Sequence, residues 1–311
     1  MKKTMMFAGW VLLSVLGVAG AARGAELGMP APELAIAQWV KGQPADLKAG
    51  RGKNIYVIEF WATWCGPCRT TIPHLTELQK KFKDQQVVVI GVSDEPAETI
   101  QPFVDRMGEK MSYTVAADQG RKTYAAYMSA FGERGIPHAF VVNKDGVIAW
   151  HGHPMAGLDE VVGEMVAGRF DLALAIQVER TAKLQEEYFK LVSVAGDNAR
   201  AAELGRQVAA GFSKTPGALD NFAWRILTDR DIKARDLDLA LRTAKSAYDL
   251  TRGTNASVMD TYARALFDTG KRDEAIKMQQ AAVAACKDER QRIEFESSLK
   301  RYQRLAREEA K

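Results

Sequence analysis

Apolar and polar positions divide the chain into two halves with different periods. In the first half, residues 55–60 form a run of apolar and β-branched residues broken only by Glu59, which predicts a buried central strand. A helical period follows over 67–82, with Ile72, Leu75, Leu78, Gln79 and Phe82 on one face. Pro73 lies inside it and should kink it by removing one N–H and crowding the preceding turn. Residues 87–90 read as a second buried strand. Residues 93–96 read as a loop with a helix-start signal, and 97–107 as a helix with Ile100, Phe103, Val104 and Met107 on its face. Upstream, Pro30 and Pro32 favour extended chain, and Leu34, Ile36 and Trp39 suggest a short edge hairpin.

A short strand at 113–115 and a helix at 120–128 complete the middle. Strands at 138–142 and 147–150 flank a turn at 143–146 with Gly146 in the left-handed position, and this predicts a hairpin. Leu158, Val161, Val162, Met165 and Val166 give a closing helix ended by Gly168. The order βαβα then ββα predicts a mixed α/β domain over 25–168, with parallel strands first and an antiparallel hairpin last.

The second half, 169–311, shows no strand period. Ala240 and Ala275, and likewise Ala247 and Ala282, recur 35 residues apart, each in the second helix of a helix-turn-helix. Trp224 and Leu227 mark the first helix of one unit. Met259, Tyr262 and Leu266 mark the next, with Gly270 at its turn. Residues 172–212 read as a degenerate earlier unit, and 289–308, with Ile293, Leu299, Tyr302 and Leu305, as a capping helix. The alternative to a repeat array is a plain helical bundle.

Composition changes this picture little. A chain of 311 residues suits about two domains. The formal charge is +4, and no basic patch with interleaved aromatics occurs, so no nucleic-acid partner is expected. Residues 1–24 carry more information. Lys2 and Lys3, an apolar run from Met5 to Val18 and a small-residue stretch ending near Gly24 fit a secretory leader, with an uncleaved anchor as the alternative. Either way the folded part would lie in the periplasm or outside the cell, where disulfides persist.

The candidate chemistry sits where the central strand gives way to a helix, at Cys65, Gly66, Pro67 and Cys68. Cys65 is expected at the helix N-terminus, where N–H groups and the positive dipole end favour a thiolate, and Cys68 lies one turn further in. A zinc site would need two more ligands, and the only other cysteine is Cys286, which reads as a buried thiol on an apolar face. A purely structural disulfide closing so short a loop would remove little chain entropy. A redox dithiol is the reading that remains, with no cofactor beyond the redox-active disulfide. Glu59, among apolar neighbours, is a candidate buried base with a raised pKa. Trp61 and Trp64 read as groove-shaping residues, and Arg69 and Lys53 as solvated charges. His151, His153 and Met155 could hint at copper, but the set is incomplete and no metal site is expected.

The run EFWATWCGPC over 59–68, Pro73, and Gly135, Ile136 and Pro137 resemble the thioredoxin superfamily. The longer segment before Pro137 resembles its secreted TlpA/ResA-type branch, related to the redoxins. The likeness covers about residues 28–168. It implies a thioredoxin-like fold in which Cys65 is the exposed nucleophile, Cys68 the buried resolving thiol and Pro137 a cis-proline facing the dithiol. The backbone at Ile136 would pair with bound substrate, and Trp64, Gly66 and Pro67 would complete the substrate surface. Glu59 takes the place of the family's buried aspartate, one methylene longer. The Gly66–Pro67 pair favours a reductant.

The second half resembles tetratricopeptide repeats, so the whole is expected to be an α/β thioredoxin-like fold followed by an all-α helical-repeat domain that binds a protein partner. Implied partners are disulfide-containing extracytoplasmic proteins and an electron-donating redox partner. The rival functions are a redoxin-class thiol peroxidase, whose Thr-x-x-Cys spacing Thr63 and Cys65 do not supply, and a copper-handling or scaffold protein.

Overall fold

In the computed structural model, residues 25–194 and 198–309 are described. The leader-like segment therefore lies outside the described residues. Among those described, no helix is long and apolar enough to cross a membrane. The described residues divide into two compact units, the first ending at Val162 and the second beginning at Gly163.

The first unit is organised on β2, Ile55–Phe60, every residue of which is buried. With β-branched and aromatic side chains on both faces, it suits only the middle of a covered sheet. It pairs in parallel with β3, Val87–Ser93, and antiparallel with β5, His138–Val142. Beyond β3 lies β4, Thr114–Asp118, again parallel. Beyond β5 lies β6, Ile148–Gly152, antiparallel. The outer partner of β4 is β1, Ile36–Lys41, so the six-stranded order is β1-β4-β3-β2-β5-β6. Around Leu34 to Trp39 the expected hairpin is instead this one antiparallel edge strand. The distant β4 supplies its hydrogen bonds, which local pattern could not foresee.

Helix α1, Cys68–Phe82, buries Ile72, Leu75, Leu78 and Phe82 as its spacing requires, with Pro73 inside it. Helix α2, Ala97–Met107, buries Ile100, Phe103 and Val104. Strand β3 continues three residues past its expected end at 90. Gly91, which by itself suggests a break, is the residue that lets the rings of Trp61 and Tyr113 close over the strand: a Cβ there would lie 3.0 Å from each. The helix expected over 120–128 forms over 122–129, as α3, Lys122–Tyr124, and then as a π-helix over Ala125–Ser129 that buries Tyr127 and Met128. Asp118, at the end of β4, starts it by accepting from the N–H groups of Thr123 and Tyr124 at 2.9 and 2.8 Å. The β5–β6 turn forms as expected, with Gly146 at φ +75°. Strand β6, however, runs to Gly152 and so draws His151 into the ladder opposite Phe140. Helix α4, Leu158–Val166, carries the chain across the boundary between the units at Val162 and Gly163.

The second unit is all helical: α5 Leu172–Ser193, α6 Asn198–Gly211, α7 Pro216–Thr228, α8 Leu237–Leu250, α9 Ala256–Asp268, α10 Arg272–Ala285 and α11 Glu289–Glu309. Neighbours in sequence pack together, α5 on α6, α7 on α8 and α9 on α10, with α11 on α10. The four spaced alanines lie on α8 and α10 and are fully buried. At these positions a larger side chain would separate the paired helices. On α11, Tyr302 and Phe295 are buried while Ile293 is 58 % exposed. Cys286 is not the buried thiol expected. It sits just past the end of α10, half-buried, with Sγ 3.4 Å from the Asp288 carbonyl.

Candidate active site

The site lies at the end of β2, where the chain leaves the sheet and enters α1. Trp61 and Ala62 remain buried, Thr63 turns the chain, and Cys65 and Cys68 face each other across the first turn of the helix. They are joined as a disulfide, S–S 2.05 Å. The backbone N–H of Cys68 points at Cys65 Sγ at 3.2 Å, so that sulfur sits on the helix N-terminus as the spacing predicts. Such an N–H stabilises negative charge on Cys65 once the bond opens. Cys65, expected to be exposed, is only 3 % accessible in this closed state, and Cys68 is 0 %. The Cys65 Sγ is bonded to Cys68 and lies against the Ile136 carbonyl. Accessibility falls instead on their neighbours: Trp64 is 69 % exposed, and Gly66 and Pro67 are exposed.

The Ile136–Pro137 peptide is cis, and the Ile136 carbonyl oxygen lies 3.8 Å from Cys65 Sγ. Thus the two segments that sequence places 71 residues apart meet at the disulfide. Beside them a cavity of about 200 Å³ is lined by Trp61, Trp64, Tyr124 and Ile136, with the Arg121–Asp94 ion pair (2.7 Å) and Arg134 at its polar side.

Glu59 of β2 is fully buried, flanked in the sheet by Gly91 of β3 and Ala139 of β5. Its carboxyl receives the Thr71 hydroxyl on Oε1 at 3.2 Å and the Tyr113 hydroxyl on Oε2 at 3.3 Å. Burial outweighs both hydrogen bonds and pushes its pKa up to about 8. Tyr113 is in turn pushed well above its ordinary value by burial and by the carboxylate beside it. Thr71 Oγ1 also lies 3.1 Å from the Cys68 carbonyl, so one hydroxyl joins the acid to the buried cysteine's residue.

Three contributors, Thr71, Tyr113 and Glu95, carry no site signal in the sequence, and a fourth, Arg69, reads there only as a solvated charge. Thr71 and Tyr113 read as ordinary helix and strand positions. Glu95 was grouped with a helix cap, yet the residue at the α2 N-cap is Pro96, with no side-chain cap. Glu95 instead accepts from the Thr63 N–H at 2.6 Å and the Thr63 hydroxyl at 2.7 Å, which pins the loop entering the cysteines. Arg69, read as a solvated charge, donates to the Thr63 carbonyl at 3.3 Å. Nothing in the local pattern signals these long-range partners.

His151 and His153 do not act together. His153 is exposed and its Nδ1 accepts from the Met155 N–H. His151 meets His138, with Nδ1 to Nε2 at 3.1 Å, and Glu133 lies 3.7 Å away. Burial, with His151 and His153 nearby, holds the His138 imidazole down at about 4.

Residues 27–151 match the model of the AhpC/TSA family. A curated relative, the thiol-disulfide oxidoreductase ResA of Halalkalibacterium halodurans, is 31 % identical over 153 residues, covering 45 % of this chain and 82 % of the relative. The protein of the same name from Bacillus thuringiensis is 30 % identical over 140 residues, covering 45 % and 71 %. Among solved structures, the thioredoxin domain of a thiol-disulfide oxidoreductase from Bacteroides vulgatus superposes with a TM-score of 0.40 at 23 % identity, covering 46 % of this chain and 99 % of that domain.

Proposed function

This chain belongs to the AhpC/TSA family and is a thiol-disulfide oxidoreductase of the ResA type, and from that premise we propose that it reduces protein disulfides outside the cytoplasm. The observation that carries the reading is the closed Cys65–Cys68 pair set against the cis Ile136–Pro137 peptide, with the Thr71 hydroxyl between the Cys68 carbonyl and a buried, protonatable Glu59. In the reduced protein the Cys65 thiolate attacks one sulfur of a substrate disulfide. The substrate bond breaks, one substrate thiolate leaves, and a mixed disulfide forms. Cys68 then gives its proton to Glu59 and attacks Cys65 Sγ. The second substrate thiolate leaves, and the Cys65–Cys68 bond is restored. Two electrons have passed to the substrate, and a separate dithiol donor must return the pair to the reduced state.

Glu59 suits the proton-accepting role because its pKa of about 8 lies close to that of a thiol. Trp64, Gly66, Pro67 and Ile136 form the accessible surface for the substrate strand, which would add along the Ile136 backbone. The leader-like pattern of residues 1–24 supports a periplasmic or secreted location. The helical unit, read as a tetratricopeptide-type array, holds a protein partner and raises its local concentration.

Cys68→Ser tests the reading. Cys65 can still attack, but nothing adjacent resolves the adduct. A non-reducing gel of cells carrying this variant should show thiol-reversible adducts with cysteine-containing extracytoplasmic proteins, and these should vanish when Cys65 is also changed to Ser. Absence of any Cys65-dependent adduct sinks the proposal.

A further inference from the structure

We propose that Glu133, His138 and His151 form a binding site for one divalent transition-metal ion of the borderline class, Zn²⁺ or Cu²⁺. The fold assembles it from three separate places. The β5–β6 register sets His151 opposite Phe140, and strand alternation puts His138, two residues before Phe140, on the same face. Glu133 comes from the segment entering β5. One donor atom from each of the three lies within 4.8 Å of the others.

The spacing suits one ion. His138 Nε2 and His151 Nδ1 are 3.1 Å apart. An ion at about 2.0–2.1 Å from both would subtend roughly 98° at the metal, between octahedral and tetrahedral angles. Glu133 Oε1 lies 3.7 Å from His151 Nδ1, within the span of two ligands about one centre, and its Oε2 lies 3.9 Å from His138 Nδ1. The rings are oriented by packing. His151 stacks on Phe140 (centroids 5.5 Å, interplanar 18°) and meets the edge of Phe131, while His138 packs on Phe140 at 5.1 Å. His138 is 8 % exposed and Glu133 half-exposed, so the site joins a buried imidazole to a carboxylate that solvent reaches. Two imidazoles and one carboxylate, without thiolate or thioether, select against soft Cu⁺. Mg²⁺ and Ca²⁺ prefer all-oxygen sites.

The ion would also tie down the chain that carries the redox surface. Ile136 and Pro137 lie between Glu133 and His138, and the Ile136 carbonyl is 3.8 Å from Cys65 Sγ. A metal here is therefore placed to stiffen the substrate-facing segment without touching sulfur.

Calorimetric titration of tag-free, oxidised full chain with Zn²⁺, and separately with Cu²⁺, decides the matter, because the closed disulfide removes Cys65 and Cys68 as ligands. One equivalent should bind saturably. Glu133→Gln and His151→Gln should each weaken binding by more than the roughly tenfold that loss of an outer-shell partner costs. His153→Ala and Cys286→Ser should leave it unchanged. A thermal melt of each apo variant checks that the fold persists, and Glu133→Gln, at a half-exposed position, keeps the test valid if His151→Gln melts early. No saturable binding of either ion, binding only to reduced protein, binding indifferent to both site variants, or binding lost with His153→Ala or Cys286→Ser overturns the proposal. In the first case the two histidines are a hydrogen-bonded pair and nothing more.

Discussion

Replacing Glu59 by glutamine should change how the α/β unit's stability depends on pH, and the size of the change follows from burial. In the fold this carboxyl is raised from 4.5 to about 8, chiefly by desolvation. Between those values the folded state holds a proton that the unfolded state has released. Stability therefore falls as pH rises, by about 1.4 kcal/mol per unit. The contribution is fully present below pH 4.5 and is lost as pH climbs through about 8. From pH 5 to 8 the loss approaches ~4 kcal/mol, an upper figure because it takes the whole shift as linkage. Glutamine cannot titrate, so its advantage over wild type should grow along this window. His138 produces an opposite slope: held at about 4, it contributes stability that is lost as pH falls below the ordinary histidine range. That slope is common to both proteins and cancels in the difference. Urea unfolding of the oxidised forms at pH 5, 6, 7 and 8, followed by tryptophan fluorescence, gives the difference directly. Four tryptophans, Trp39, Trp61, Trp64 and Trp150, report on the α/β unit against Trp224 in the helical one. A difference flat to within about 1 kcal/mol over that range would show that Glu59 is ionised in the fold. The same substitution bears on the chemistry. With a pKa of about 8, roughly a tenth of Glu59 is ionised at pH 7. Resolution of the mixed disulfide should therefore quicken about tenfold by pH 9 in wild type, and glutamine should abolish this rise while first attack by Cys65 changes less.

Other perturbations separate positioning from chemistry. Glu95→Ala removes both acceptors of Thr63 and should cost about 2 kcal/mol in stability, with slower turnover on a protein disulfide; unchanged turnover would show that the loop holds its shape without Glu95. Gly91→Ala forces a Cβ to 3.0 Å from Trp61 and Tyr113, and should destabilise by about 1–3 kcal/mol in thermal melts, whereas a neutral result would mean both rings can shift freely. Gly205→Ala would place a Cβ 2.4 Å from Leu239 Cδ2 on α8, so the helical unit should melt earlier while reduction of a small disulfide is unchanged. Loss of that reduction with the α/β unit intact would mean the helical half completes the site.

The sequence by itself determined the parts of this protein that depend on neighbours in the chain. The apolar run 55–60 could only be a covered strand, and the two cysteines three apart at its exit, with Gly66 and Pro67 between them, could only meet across one helical turn. The helical faces of α1 and α2 and the buried alanines of α8 and α10 were legible for the same reason, since their period is local. Tertiary structure alone decided what comes from far along the chain. Whether Glu59 faces Tyr113, whether Glu95 holds Thr63 or caps α2, and whether His151 finds His138 or His153 all depend on sheet order and strand register. Strand β6 ending at Gly152 rather than at 150 is enough to bring His151 into the ladder. Two further strand residues carry no local signature, because what holds them is their pairing with Phe140 and Ala139 on β5. Side-chain chemistry converges only after the backbone has chosen among such near-equal pairings, and packing across the whole sheet makes that choice.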